Sequence, residues 1–132
     1  PYIPFYLATM EFFELVADRL APGGTVMINV GHPEGNADLE ETLVSTMGEA
    51  FPEILRDPVT DTNVELVGSQ AGGISARNLR LAIPEIPAAL RPVARSTAFR
   101  LEPAVGNGTV WTDDKAPVEW LVDLSLIGYA NE

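Results

Sequence analysis

Few residues of this 132-residue sequence are equipped for chemistry. Cysteine is absent, so disulfides and thiolate metal sites are excluded, and a reducing compartment is allowed. The single histidine, His32, precedes Pro33. With no partner cluster nearby for a general-base or metal role, it reads as a loop-bonding residue. The acidic set Asp113, Asp114 and Glu119 lies between Trp111 and Trp120. Carboxylates there can accept or orient a proton, or hold a cation. A structural reading competes: Pro117 suits a first helical turn, and Asp113 or Asp114 favours a helix start through the dipole. The two tryptophans read as core or interface anchors.

These residues need elements to position them. Residues 2–7 are apolar and proline-flanked, an extended loop feeding a helix. Thr9 is a good N-cap with Glu11 in the first turn, and Phe12, Leu15, Val16 and Leu20 recur at helical spacing until Ala21-Pro22-Gly23-Gly24 stops them. Residues 26–30 form a short apolar run, predicted to be a strand buried on both faces as in a parallel sheet. Asp38-Leu39-Glu40-Glu41 has capping-box spacing, Leu39, Leu43, Met47 and Ala50 mark a helix face, and Glu40, Glu41 and Glu49 fall on its polar, solvated side. Strands are predicted near 53–56 and over 63–69, with a turn-rich stretch at 57–61 between them. Short helices are predicted at 76–83 and 87–95, a strand at 98–101, a glycine turn at 106–108, and a closing helix from Val118, Leu121 and Val122. Strands alternating with helices indicate α/β layers, and two successive strands joined by a turn indicate an antiparallel hairpin at a sheet edge.

Composition narrows the partners. Eight basic against nineteen acidic residues give a net charge of −11. That sign repels nucleic acid and anionic headgroups, and suits solubility or a small cation. No apolar run approaches the ~18–20 residues of a membrane span, and residues 1–20 lack the basic start of a signal peptide.

A family resemblance rests on five stretches. The opening run Pro4-Phe5-Tyr6-Leu7-Ala8-Thr9-Met10-Glu11-Phe12-Phe13, together with Tyr2, resembles a segment of spermidine-synthase-like proteins. Leu20-Ala21-Pro22-Gly23-Gly24 leading to Asn29-Val30 continues it. Phe51-Pro52 resembles the family's entry to the next strand, Thr62-Asn63-Val64-Glu65-Leu66 resembles its last strand, and Thr112-Asp113-Asp114-Lys115-Ala116-Pro117-Val118-Glu119 resembles a C-terminal motif of a bacterial subgroup. The resemblance implies the C-terminal half of a Rossmann-like, seven-stranded methyltransferase fold. Strands five to seven would be present, the last pair antiparallel, followed by a helical tail. Residues 1–132 would then be one partial domain, with 70–110 an irregular, divergent insertion.

The resemblance also implies a function. The reaction would be aminopropyl transfer from decarboxylated S-adenosylmethionine to a diamine such as putrescine, without a metal. The amine must lose a proton before it attacks, which a carboxylate can accept. The catalytic aspartate is expected upstream of Pro1, as are the glycine-rich loop and the acidic strand end that hold the cofactor. Substrate-binding positions are Tyr2, Asn29, Asp113, Asp114 and Glu119. Asn29 stands where the family has glutamine, one methylene longer. The chain alone is expected to be inactive, a homo-oligomer and cytoplasmic, with tethering to membrane segments allowed in a longer parent. Two rivals remain: a methyltransferase of the same fold using S-adenosylmethionine, and a non-catalytic binding or assembly module.

Overall fold

A computed structural model describes residues 4–118. Tyr2, Glu119, Trp120 and the expected closing helix lie outside them. After a single 3-10 turn at Phe5–Leu7, helix α1 spans Met10–Arg19 and strand β1 spans Thr25–Gly31. Helix α2 (Asp38–Met47), strands β2 (Glu53–Thr60) and β3 (Asn63–Ser69), helices α3 (Ala76–Ala82) and α4 (Arg91–Arg100) and a two-residue strand β4 (Glu102–Pro103) come next in the chain.

The sheet runs β1-β3-β2-β4, with every pairing antiparallel. Both β1 and β2 are antiparallel to β3, so they run parallel to each other with β3 inserted between them. The expected α/β layering and the β2–β3 hairpin are both present. The expectation that 26–30 is buried on both faces is not met. Val26, Ile28 and Val30 face the core, whereas Met27 is 60% exposed on the opposite face. The outer edge of β1 pairs with no strand among the described residues.

Strand alternation assigns the two faces. One face carries Val30, Val64 and Leu66, and packs with Phe13 of α1 and Leu43, Val44 and Met47 of α2, closed by Phe51, Trp111 and Val118. Gly68 belongs to this face because a Cβ there would stand 3.0 Å from the Phe51 ring and 3.1 Å from Val26. The other face is covered over β2 by α4.

Two adjacent residues of β2 tie these layers together. Arg56 points into the first face and pairs with Glu40 of α2, with Nη2 3.2 Å from Oε2, and it also reaches Glu102. Asp57 points into the second face and accepts from Arg100 of α4, with Nη2–Oδ2 at 2.9 Å. Glu40 is therefore buried, not solvated as its helix position implied. The Arg56 pKa is raised, chiefly by its hydrogen bond to Glu40. That of Arg100 is raised chiefly by its bond to Asp57. A raised folded-state value means the guanidinium's contribution to these pairings is fully present below the ordinary arginine range and is lost as pH rises through the raised value.

Other expectations change in detail. Thr9 does cap α1, accepting from the Phe12 N–H at 3.3 Å. Asp38 is not a cap: Ala37 is, and the Asn36 side chain receives the Asp38 N–H at 3.0 Å. Asp57-Pro58 continues β2 instead of turning. Pro58 sits at the register irregularity, where β2 has run past β4 and no donor is needed on that side. Residues 98–101 close helix α4 instead of forming a strand, because Pro92 opens the helix at its first turn and the Leu101 N–H still bonds Thr97. The glycines at 106 and 108 are not left-handed turn residues. They let the chain lie on α2, where a Cβ at Gly108 would run into the Thr42 backbone.

Asp57 is almost fully buried while Arg100 is more than a quarter exposed. The two partners should therefore respond unequally to removal. Arg100→Ala strands a carboxylate away from water and is expected to cost about 3 kcal/mol. Asp57→Asn leaves an arginine that reaches solvent and is expected to cost less. Urea melts of the two variants measure the order, and equal losses would contradict the assignment.

Candidate functional site

Two of the stretches that carry the resemblance meet in space. Thr9 is fully buried, and its hydroxyl donates to Asp113 Oδ1 at 2.7 Å while accepting from the Phe12 N–H. The Asp113 N–H donates to Glu11 Oε2 at 3.0 Å, and the Met10 N–H donates to the Trp111 carbonyl at 2.7 Å. Three groups at the start of α1 are thus engaged by residues 111–113. The turn that presents them is closed by backbone bonds between Thr112 and Lys115 in both directions, at 3.3 and 2.9 Å. Asp113 and Asp114 stand at its exposed tip.

The same segment is fixed to α2. Thr46 donates to the Thr42 carbonyl at 2.8 Å and accepts the Trp111 N–H at 3.1 Å. Ser45 repeats the device one residue earlier, donating to the Glu41 carbonyl and accepting the Gly108 N–H at 3.1 Å. Both hydroxyls turn back on their helix and still satisfy a donor from outside it. A groove of about 430 Å³ lies between the start of α2 and this segment, with Asp38, Glu41, Thr42, Trp111, Lys115 and Pro117 among its walls.

Asn29 lies elsewhere, near the C-terminal end of β1 on the second face. Its Oδ1 accepts from Asn63 Nδ2 at 2.8 Å, and its cross-strand partner is Glu65. Glu65 in turn pairs with Asp57, so Asn29, Glu65 and Asp57 form a row across three strands. Arg100 ends this row, and Glu65 adds a smaller contribution to its raised pKa. The turn joining β2 and β3 reaches the same end of the sheet, where the His32 N–H donates to the Thr62 carbonyl at 3.0 Å. His32 Nδ1 lies 2.9 Å from the Pro33 carbonyl, which only accepts, so Nδ1 carries the proton.

Of the expected site residues, Asp113 and Asp114 share one turn, and among the described residues no hydrogen bond joins them to Asn29. Tyr2 and Glu119 lie outside the described residues. Sequence reasoning missed Glu65, although its position in the alternating run 63–69 already set it opposite the inward Val64 and Leu66. It also missed the Thr9–Asp113 bond, since nothing local announces a contact 104 residues away. Among the described residues no cluster of three or more His, Asp or Glu side chains is disposed to hold a metal, and no helix is long and apolar enough to cross a membrane.

Comparison with known proteins bears out the resemblance to spermidine-synthase-like proteins. No family profile matches the chain. The chain is 29% identical over 139 aligned positions to a protein of Bifidobacterium longum named "Probable polyamine aminopropyl transferase", covering 90% of this chain and 31% of the relative. Among solved structures, that of a probable spermidine synthase from Corynebacterium glutamicum superposes with a TM-score of 0.51 at 20% identity, over 86% of this chain and 45% of the other. That second likeness shows the fold. The chain spans less than half the length of both relatives.

The cap at α1 gives a direct check. Thr9→Ala and Asp113→Ala are each expected to lower stability by about 1 kcal/mol. The double variant should lose little more than either single one, because both remove one shared hydrogen bond. Chemical denaturation of the four proteins measures this coupling, and simple additivity would show that the bond carries no weight.

Proposed function

We propose that this chain is part of an aminopropyltransferase that moves the aminopropyl group of decarboxylated S-adenosylmethionine onto a small diamine of the putrescine type. The observation that carries the reading is the likeness to the Bifidobacterium longum protein across 90% of these residues. The strand arrangement supports it. Read as strands five, six and seven of a methyltransferase-like sheet, β1, β2 and β3 place β3 between its neighbours and leave the outer edge of β1 for a fourth strand. In open α/β sheets, ligands gather at the C-terminal strand ends. Asn29 lies near that end of β1, and the amide of Asn29 with the carboxylate of Glu65 offers a donor and a negative charge to a diamine.

In this reading the sulfonium cofactor is held by residues outside 4–118, and the chain by itself is silent. Transfer itself is a displacement at carbon. The neutral amine nitrogen forms the new C–N bond, the C–S bond breaks, and methylthioadenosine leaves with the electron pair. A carboxylate takes the one proton that frees the amine before attack, and the secondary ammonium produced carries the positive charge that the sulfonium loses.

The test is product formation. A protein joining these residues to a cofactor-binding half, incubated with putrescine and decarboxylated S-adenosylmethionine, should yield spermidine and methylthioadenosine. Asn29→Ala is expected to raise the KM for the diamine about tenfold with folding intact, whereas an Asp113 variant should act mainly through stability. Methyl transfer from S-adenosylmethionine would overturn the reading in favour of a methyltransferase. Absence of any affinity for methylthioadenosine would overturn it in favour of a binding module.

A further inference from the structure

The segment that crosses α2 holds a reactive pair of residues. Asn107-Gly108 is the only asparagine-glycine pair in the sequence; the other five asparagines precede Ala, Val, Leu or Glu. A glycine has no Cβ to keep its amide nitrogen away from the side chain before it. That nitrogen can therefore attack the asparagine. Gly108 N loses its proton and bonds to Asn107 Cγ, the Cγ–Nδ2 bond breaks, and ammonia leaves with one proton. The product is a five-membered cyclic imide, which water opens at either carbonyl. Opening at Cγ gives aspartate. Opening at the main-chain carbonyl gives isoaspartate, whose backbone runs through Cβ and is one methylene longer. Both products gain a negative charge.

The fold keeps this pair apart from its own chemistry. Asn107 is exposed, and its side chain makes no hydrogen bond among the described residues. Gly108 is held. Its N–H donates to Ser45 Oγ at 3.1 Å, and the Ser45 hydroxyl proton is committed to the Glu41 carbonyl at 2.9 Å. Ser45 therefore meets Gly108 as an acceptor and keeps the amide proton in place. Nor is there room to turn. A Cβ at Gly106 would stand 2.6 Å from Ser45 Oγ, and one at Gly108 2.5 Å from Thr42 Cα. Attack requires the amide nitrogen to leave Ser45, shed its proton and swing onto Cγ, so it must follow a local opening of the segment.

We infer that Asn107 is a site of spontaneous deamidation, held off by α2, that turns a transient lifting of residues 106–111 into a permanent one. The products do not fit back. The extra methylene of isoaspartate displaces a chain laid on Thr42 and Ser45 without spare space. The new carboxylate enters the groove that Asp38 and Glu41 already line, opposed by the single lysine of its walls, Lys115. The same segment carries the Trp111 N–H to Thr46 and leads to the Asp113 that binds Thr9, so its release also loosens the cap of α1. This inference is independent of the catalytic reading.

Peptide mapping by mass spectrometry, after incubation of the chain at mildly alkaline pH, reads conversion at each asparagine. Asn107 should convert first, and at least about tenfold faster in urea than in the folded protein. Ser45→Ala removes the acceptor and should speed conversion of the folded protein about tenfold while leaving the rate in urea unchanged. Deamidated protein, separated by its added charge on an anion exchanger, should show faster hydrogen exchange at the Trp111 amide. Persistence of Asn107 in urea would overturn the site, and equal rates in folded and unfolded protein would overturn its protection by α2. That comparison needs no variant, so it stands even where Ser45→Ala does not fold. A folded-state rate that a folded Ser45→Ala leaves unchanged would overturn the part given to Ser45. Unchanged exchange at Trp111 after conversion would overturn the permanent opening.

Discussion

The architecture depends on the alternation of β2 at two consecutive residues. Arg56 and Asp57 leave the strand on opposite sides, and each ends in an ion pair with a helix of a different layer. An unpaired charge at either position would be costly in a packed interior, so each helix is drawn to the one placement that satisfies it. Glu40 fixes α2 relative to the first face, Arg100 fixes α4 relative to the second, and Glu102 adds β4 to the first of these networks. The apolar contacts around Phe13, Met47 and Leu66 supply bulk attraction without direction. The charged pairs add the direction.

Periodicity made much of this readable in the sequence. The Thr9 cap, the first helix, the Val26–Val30 strand and the alternation of Val64, Leu66 and Gly68 all follow from local pattern. What escaped was whatever depends on a distant partner. Glu40 looks like a solvated helix residue until Arg56 is placed beneath it. Asp57-Pro58 looks like a turn until β4 is seen to pair only with Leu55 and Arg56. Gly106 and Gly108 look like turn glycines until α2 is laid against them. The candidate site divides the same way: Asn29 was found from its place near a strand end, whereas Glu65 needed the register of two neighbouring strands.

Two of the stretches that carry the family likeness, the opening run and the one containing Thr112 and Asp113, turn out to be one structural unit. Thr9, Met10 and Glu11 are bound by residues 111–113, and the stretch 108–111 is bound in turn to α2, Gly108 by Ser45 and Trp111 by Thr46. Their shared pattern is explained at this level by the need to finish the start of α1, which also sets the loop before it. The row Asn29, Glu65, Asp57 and Arg100 occupies the other face and carries the polar groups nearest the strand ends. Shape and charge are thereby divided between the two sides of the sheet.

The Thr9–Asp113 bond also has a meaning for how the molecule is made. A ribosome adding about 5–20 residues per second needs roughly 5–20 seconds to travel from one partner to the other. Throughout that interval the first helix exists without its final cap, and the cavity Trp111 will fill is open. The nascent chain therefore passes through a stage with a complete hairpin and an unsealed core, and closure waits on residues 111–113 to emerge.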